Sequence, residues 1–317
     1  MADKDPTSTT VTLTYLLMLV GVLIWGGNWV AAKVSVGAVP PFTLATLRYL
    51  VATPLLFAWL ASQGPLPRPE RRDWPRLAAL GILFVGVSNL LFLYGLRYAP
   101  SVDGAIIYPG FQPLLASVLA AYLLGEALIG RQFLGFGVAI GGLVLVVGGG
   151  GAIGAGGEQR LLGDMLFLVG AAVWAYTNIL MRILGRRFSG LAVTTYSALI
   201  ALPLLLLCSL WEGGWGPLWE ALPAIWPALF YMAAISTGPP TIFFYNGIRR
   251  LGIARASAIT YLIPVSGVTM TAIFLGERLE PIQIGGGVLV LLGLWLVSRR
   301  ARTTITPASP LRQESRP

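Results

Sequence analysis

The sequence predicts an all-α, polytopic membrane protein: ten transmembrane helices arranged as two inverted five-helix repeats. Three observations predict it: a composition too apolar for a solvated surface, ten apolar runs long enough to cross a bilayer, and a duplication at a fixed offset. Of 317 residues, 56% are hydrophobic and 11% charged, and the mean hydropathy is +0.76. Soluble domains carry roughly 25% charged residues because their core must be covered by hydrated surface. This chain lacks that charge, so lipid has to be its solvent.

Runs of ~20 apolar residues span ~30 Å of hydrocarbon. They fall at 12–32, 42–62, 76–97, 103–124, 132–150, 161–184, 191–211, 222–247, 256–275 and 282–298. Helices are the only option, because isolated strands would leave unpaired amides in lipid and the runs lack the alternation of barrel strands. The first run is too long for a signal-peptide core and is followed by nine more, so it reads as retained. The chain divides into a tail (1–11), a first repeat (12–150), a Gly-rich linker (151–160), a second repeat (161–298) and a Pro-, Ser- and Arg-rich tail (299–317) that reads as disordered.

An offset of 151 lays Tyr94 on Tyr245, Pro113 on Pro264, Leu124-Gly125-Glu126 on Leu275-Gly276-Glu277 and Gln132 on Gln283, while an offset of 149 lays Trp25 on Trp174. Five spans per copy is an odd number, so the second copy enters the membrane from the other side. Inverted repeats of this kind can exchange conformations around a shared site, the basis of alternating access.

Numbering the connections alternately, seventeen Lys and Arg fall on one side and four on the other, with Arg48 inside a span. The positive-inside rule then places both termini in the cytoplasm. The net charge of +9 is thus topological, and no nucleic-acid partner is implied. With no His and one Cys, no internal disulfide forms, and no metal, cofactor or enzymatic chemistry is expected. Gly135-Phe136-Gly137 and the run from Gly148 to Gly157 are followed by no Gly-Lys-Ser/Thr, so nucleotide binding is rejected. No heptad seam marks a partner, which leaves a monomer or weak dimer.

A transporter's site should lie near the midplane, between interrupted helices. Pro113 and Pro264 are matched breaks in the fourth and ninth spans, and Gly238-Pro239-Pro240 breaks the eighth; the carbonyls freed by Pro are tolerable only in protein or a wet cavity. Trp25 with Asn28, and Trp174 with Asn178, share helix faces near the centres of the first and sixth spans. Helix–helix glue is the alternative for these amides. Tyr176, Thr177, Asn89, Tyr108, Gln112 and Tyr261 complete the candidate solute contacts, with Ser88 and Thr237 beside them. Tyr94 and Tyr245, near span ends, read as gates or interface anchors. Arg48 and Glu277 could pair as a gate, the alternative being a snorkelling Arg. Glu126, Glu277, Asp103 and Asp164 all fall at span ends, where water is expected. With no midplane carboxylate or His, transport is expected to be facilitated, not proton-coupled.

Trp25-Gly26-Gly27-Asn28-Trp29, Leu47-Arg48-Tyr49, Pro113 with Leu124-Gly125-Glu126, and Tyr261-Leu262-Ile263-Pro264 leading to Leu275-Gly276-Glu277 resemble the drug/metabolite transporter superfamily. The likeness is to its ten-helix EamA-type branch, within it most similar to YddG-type amino acid exporters, and covers residues 11 to 298. It implies a multi-pass protein of a bacterial inner membrane, a basket-like bundle around a central cavity, and peripheral fifth and tenth spans. The first-span Glu of the four-helix multidrug members is absent, which weakens drug–proton antiport. Together these readings predict an exporter of amino acids, aromatic and other neutral or amphipathic ones favoured, and of similar metabolites. The alternatives are lipophilic cations, nucleotide-linked sugars, or a non-transporting scaffold.

Overall fold

The structure, a computed structural model, describes residues 8–124, 130–149, 151, 157–185, 187–251 and 259–298. These residues form helices and connections, with no strand among them. Numbered by span, α1 is Ser8–Ala38, α2 Pro41–Ser62, α3 Trp74–Tyr98, α4 Ser101–Leu124 and α5 Gly130–Gly149. The second set is α6 Glu158–Leu184, α7 Gly190–Glu212, α8 in pieces from Trp215 to Leu251, α9 Leu262–Leu275 and α10 Pro281–Ser298. Several helices outrun their apolar stretch, α1 reaching Ala38 where hydropathy alone ends near residue 32, because helical hydrogen bonding continues into the interface.

Wherever they pack extensively, helices of one repeat pair with those of the other: α1 with α8 and α9, α6 with α3 and α4, α2 with α7, and α5 with α10. The last pair displays the inverted symmetry. A Cβ on Gly142 would meet the Gly286 carbonyl oxygen at 2.5 Å, and one on Gly293 would meet that of Gly135 at 2.5 Å. Because Gly135 and Gly142 match Gly286 and Gly293 at the offset of 151, each contact is the other's image. Gln283 Nε2 donates to Val146 O at 3.1 Å and its image Gln132 Nε2 donates to Val297 O at 3.4 Å. Small residues here let two backbones meet where lipid supplies no hydrophobic drive. α5 and α10 pack chiefly on each other and reach the bundle through α4.

The interruptions differ from those the prolines suggest. α4 runs unbroken through Pro109 and Pro113, with Ser117 Oγ donating to the Pro113 carbonyl at 2.9 Å. Pro264 falls in the first turn of α9, where its missing N–H costs nothing. The matched breaks lie instead in α3 and α8, as π-helical segments at Gly81–Ser88 and Tyr231–Ser236. α8 then stops and restarts at Pro239, as Gly238-Pro239-Pro240 predicts. A π segment widens the turn and shifts every later side chain around the axis, a device frequent at functional sites.

Candidate functional site

A cavity of about 1180 Å³ lies between the repeats and takes side chains from all ten helices. It runs from the bundle centre, at Trp25, Asn28 and Tyr108, toward the end carrying the basic α2–α3 and α6–α7 connections, where Thr194, Trp295 and Arg131 line it. Of the expected solute contacts, Trp25, Asn28, Asn89, Tyr108, Gln112, Trp174, Thr177, Asn178 and Tyr261 all line this one space.

Aromatic rings form its inner wall. Trp174 stacks on Tyr108 with centroids 5.2 Å apart and planes 26° from parallel. Tyr108 is fixed in turn by a 2.5 Å hydrogen bond between its hydroxyl and Ser88 Oγ. Trp29, buried, meets Phe92, Phe167 and Tyr108 edge-on at 4.8, 5.8 and 6.2 Å. Phe167 fills the space left by two glycines, since a Cβ on Gly95 or Gly104 would meet its ring at 2.6 or 2.5 Å. This cluster closes the cavity on the side away from the basic end.

Polar groups interrupt the aromatic wall. The Asn28 Oδ1 is buried and has no hydrogen-bond partner among the described residues. Thr177 Oγ1 is occupied by the Trp174 carbonyl at 2.7 Å. Arg48, buried, donates from Nη1 to Asn89 Oδ1 at 3.2 Å, and from Nε and Nη2 to Thr237 Oγ1 at 3.3 and 3.2 Å. Asn89 and Thr237 each immediately follow a π segment, so the guanidinium bridges the two matched breaks.

Several expectations are corrected. Arg48 and Glu277 do not pair: Glu277 accepts from the backbone amides of Ser101 and Val102 at 3.0 and 2.8 Å, capping the α4 N-terminus, where free N–H groups and the helix dipole attract a carboxylate. Tyr176 faces away from the cavity and is 38% exposed; at 100° per residue it sits opposite both Trp174 and Asn178. Asp103 and Asp164 are fully buried instead of water-exposed. Asp103 holds Arg160 in a two-point ion pair at 2.7 and 2.9 Å and accepts from Gln283 at 2.9 Å, whereas neither Asp164 oxygen has a hydrogen-bond partner among the described residues. Glu126 lies outside the described residues.

Among the gate candidates, Pro113 lines the cavity, whereas Pro239 opens the last piece of α8 and Pro240 packs 3.4 Å from the Cβ position of Gly21. Pro264 is buried within the first turn of α9. Tyr94 lies outside the cavity and donates to Glu212 Oε1 at 3.1 Å; Glu212 Oε2 accepts from Thr43 N at 3.0 Å. The Tyr245 side chain lies outside the described residues. Lys33 Nζ donates to the Leu96 and Ala99 carbonyls at 2.6 and 2.8 Å, closing the C-terminal end of α3. Glu212, Glu277 and Asp103 thus lace the repeats together at the end opposite the basic one.

Sequence reasoning missed Phe84, Phe244, Tyr49, Thr241 and Arg131, which also line the cavity. Phe84 is five residues before Asn89, a shared face only at the π period, so an α-helical count misplaces it.

A model of the EamA-like transporter family matches residues 12–148 and again 161–299. The chain belongs to this family. It is similar to the transporter YyaM of Bacillus subtilis (strain 168), 31% identical over 293 residues, covering 90% of this chain and 94% of that protein. A probable amino-acid metabolite efflux pump of Escherichia coli (strain K12) is 28% identical, covering 89% and 93%. A probable terminal-alkyne amino-acid exporter of Streptantibioticus cattleyicolor is 25% identical, covering 89% and 92%. One solved crystal structure superposes with a TM-score of 0.61 at 22% identity over 91% of this chain and 99% of its own, a likeness of fold alone. The EamA-family chain is therefore a multi-pass membrane transporter, not an enzyme, and its substrate is a small molecule.

Proposed function

We propose that the protein exports amino acids, aromatic and other neutral or amphipathic ones favoured, and similar small metabolites across a bacterial inner membrane by alternating access. The observation that carries this reading is the cavity: Trp25, Asn28, Trp174 and Asn178, drawn from equivalent helices of the two repeats, face one open space. Mostly apolar and aromatic walls with a few converging polar groups suit a small amphipathic solute. In a scaffold these four side chains would pack against protein. The amino-acid exporters among the relatives favour the same solute class.

With the basic end in the cytoplasm, the cavity faces inward and the laced end faces out, so an exporter in this conformation is loading. Neither Asp103 nor Asp164 lines the cavity, nor does any other carboxylate among the described residues. Facilitated movement down a gradient is accordingly the proposed mode.

Counterflow in proteoliposomes, with a panel of labelled amino acids and with or without a pH gradient, tests the proposal. Exchange of aromatic and neutral members without a gradient is expected. Absence of exchange for the whole panel overturns the solute assignment, and strict dependence on the gradient overturns facilitation.

A further inference from the structure

Arg48 is a buried cation for which the described residues supply no counter-charge. Among the described residues it forms no ion pair; its partners are the neutral Asn89 Oδ1 and Thr237 Oγ1, together with the face of the Tyr49 ring at 5.6 Å. The bonds measure 3.2 to 3.3 Å, longer than the ~2.7–2.9 Å of a guanidinium on a carboxylate. They use three of the five N–H groups a guanidinium offers. Beside it, Asn89 is 8% exposed, and its Nδ2 has no hydrogen-bond partner among the described residues. The orientation of that amide is fixed chemically: a guanidinium has no acceptor, so Asn89 must turn Oδ1 toward Arg48 and leave its NH₂ free.

The wall of the cavity therefore presents a cation with spare donors and an adjacent unused amide donor, all wanting an acceptor. Burying a charge unpaired is costly, and so is leaving an amide unsatisfied. Both penalties are relieved if an anion arrives with the solute. We propose that Arg48 and Asn89 form a carboxylate-binding subsite, so that transported solutes must carry a free carboxylate. This rests on the amino-acid reading above and sharpens it, because apolar walls alone would accept a hydrophobic amine as readily. A solute carboxylate would compete with Thr237, across the repeat boundary, for the same guanidinium. The bond that ties α2 to α8 is then weakened by loading.

The test is competition against labelled phenylalanine counterflow in proteoliposomes, using phenylalanine, 3-phenylpropionate, phenylalaninamide and 2-phenylethylamine, which share a ring and differ in charge. Phenylalanine and 3-phenylpropionate should compete, and the amide and amine should be weaker by roughly tenfold or more, the scale of a lost hydrogen-bonded charge contact. In Arg48→Gln, monodisperse by size exclusion, that preference should vanish, and Arg48→Lys should restore part of it. Equal competition by the amine or amide in the native protein overturns the subsite while transport stands, and it needs no variant to fold. Retained preference in a folded Arg48→Gln protein overturns it too. If phenylalanine and every other amino acid fail to exchange, it is the proposed function that falls, and the subsite with it.

Discussion

The two ends of the bundle use charge in opposite ways. At the laced end three carboxylates are matched to donors across the repeat boundary: Asp103 to Arg160 and Gln283, Glu277 to the α4 amides, Glu212 to Thr43 and Tyr94. In the cavity Arg48 has only neutral partners, and Asn28 and Asn89 keep unpaired atoms. Paired groups across a repeat boundary hold two helices together; unpaired ones in a wet space wait for a solute. An alternating-access machine needs both, a lock at one end and an unfinished set of contacts at its centre. Asp164, at the same end, is buried and has no hydrogen-bond partner among the described residues.

Variants at the two ends should separate stability from solute handling. The largest effect is expected from Asp103→Asn, which leaves Arg160 without its counter-ion at a buried position. Breaking such a pair costs about 3–5 kcal/mol when both partners are buried, and the lower end applies because Arg160 is 25% exposed. A thermal midpoint equal to that of the native protein would deny the lock its role. Trp174→Ala comes next: losing the ring stacked on Tyr108 should weaken solute competition by roughly tenfold with a smaller change in midpoint. If the midpoint falls while competition holds, the ring belongs to packing and not to the solute.

Glu277→Gln should cost about 1 kcal/mol, the worth of a charged N-terminal cap, and should loosen the laced end. In a Cys208→Ala background, a cysteine introduced at Ala99 should label faster with a water-soluble maleimide when Glu277 is also changed. Unchanged labelling would show that the cap does not govern access. The smallest effect belongs to Tyr176→Phe, on the face turned from the cavity: exchange rates and affinities should match those of the native protein, and a clear loss would put Tyr176 back among the solute contacts.

Much of the site was legible because helical period acts locally. Trp25 with Asn28 and Trp174 with Asn178 could be placed on shared faces, and both pairs do line one cavity. The same period, applied strictly, excludes Tyr176. Phe84 was hidden because Gly81–Ser88 is π-helical, and a run of Gly, Val and Phe carries no signal that the turn widens there. The prolines misled for a related reason: α4 runs through Pro109 and Pro113 as one helix, because each proline removes a single backbone hydrogen bond and leaves the rest of the ladder in place.

The sequence by itself determined the solvent, the number of spans, the duplication and the apolar faces, all of which depend on composition or on residues a few positions apart. The tertiary structure alone decided the partners of the charges: Arg48 with Thr237, 189 residues away, and Glu277 with Ser101, 176 away. A buried ionisable group takes whichever donor or acceptor the packing of distant helices brings within about 3 Å, and that is set by how two inverted copies interlock, which no local pattern encodes.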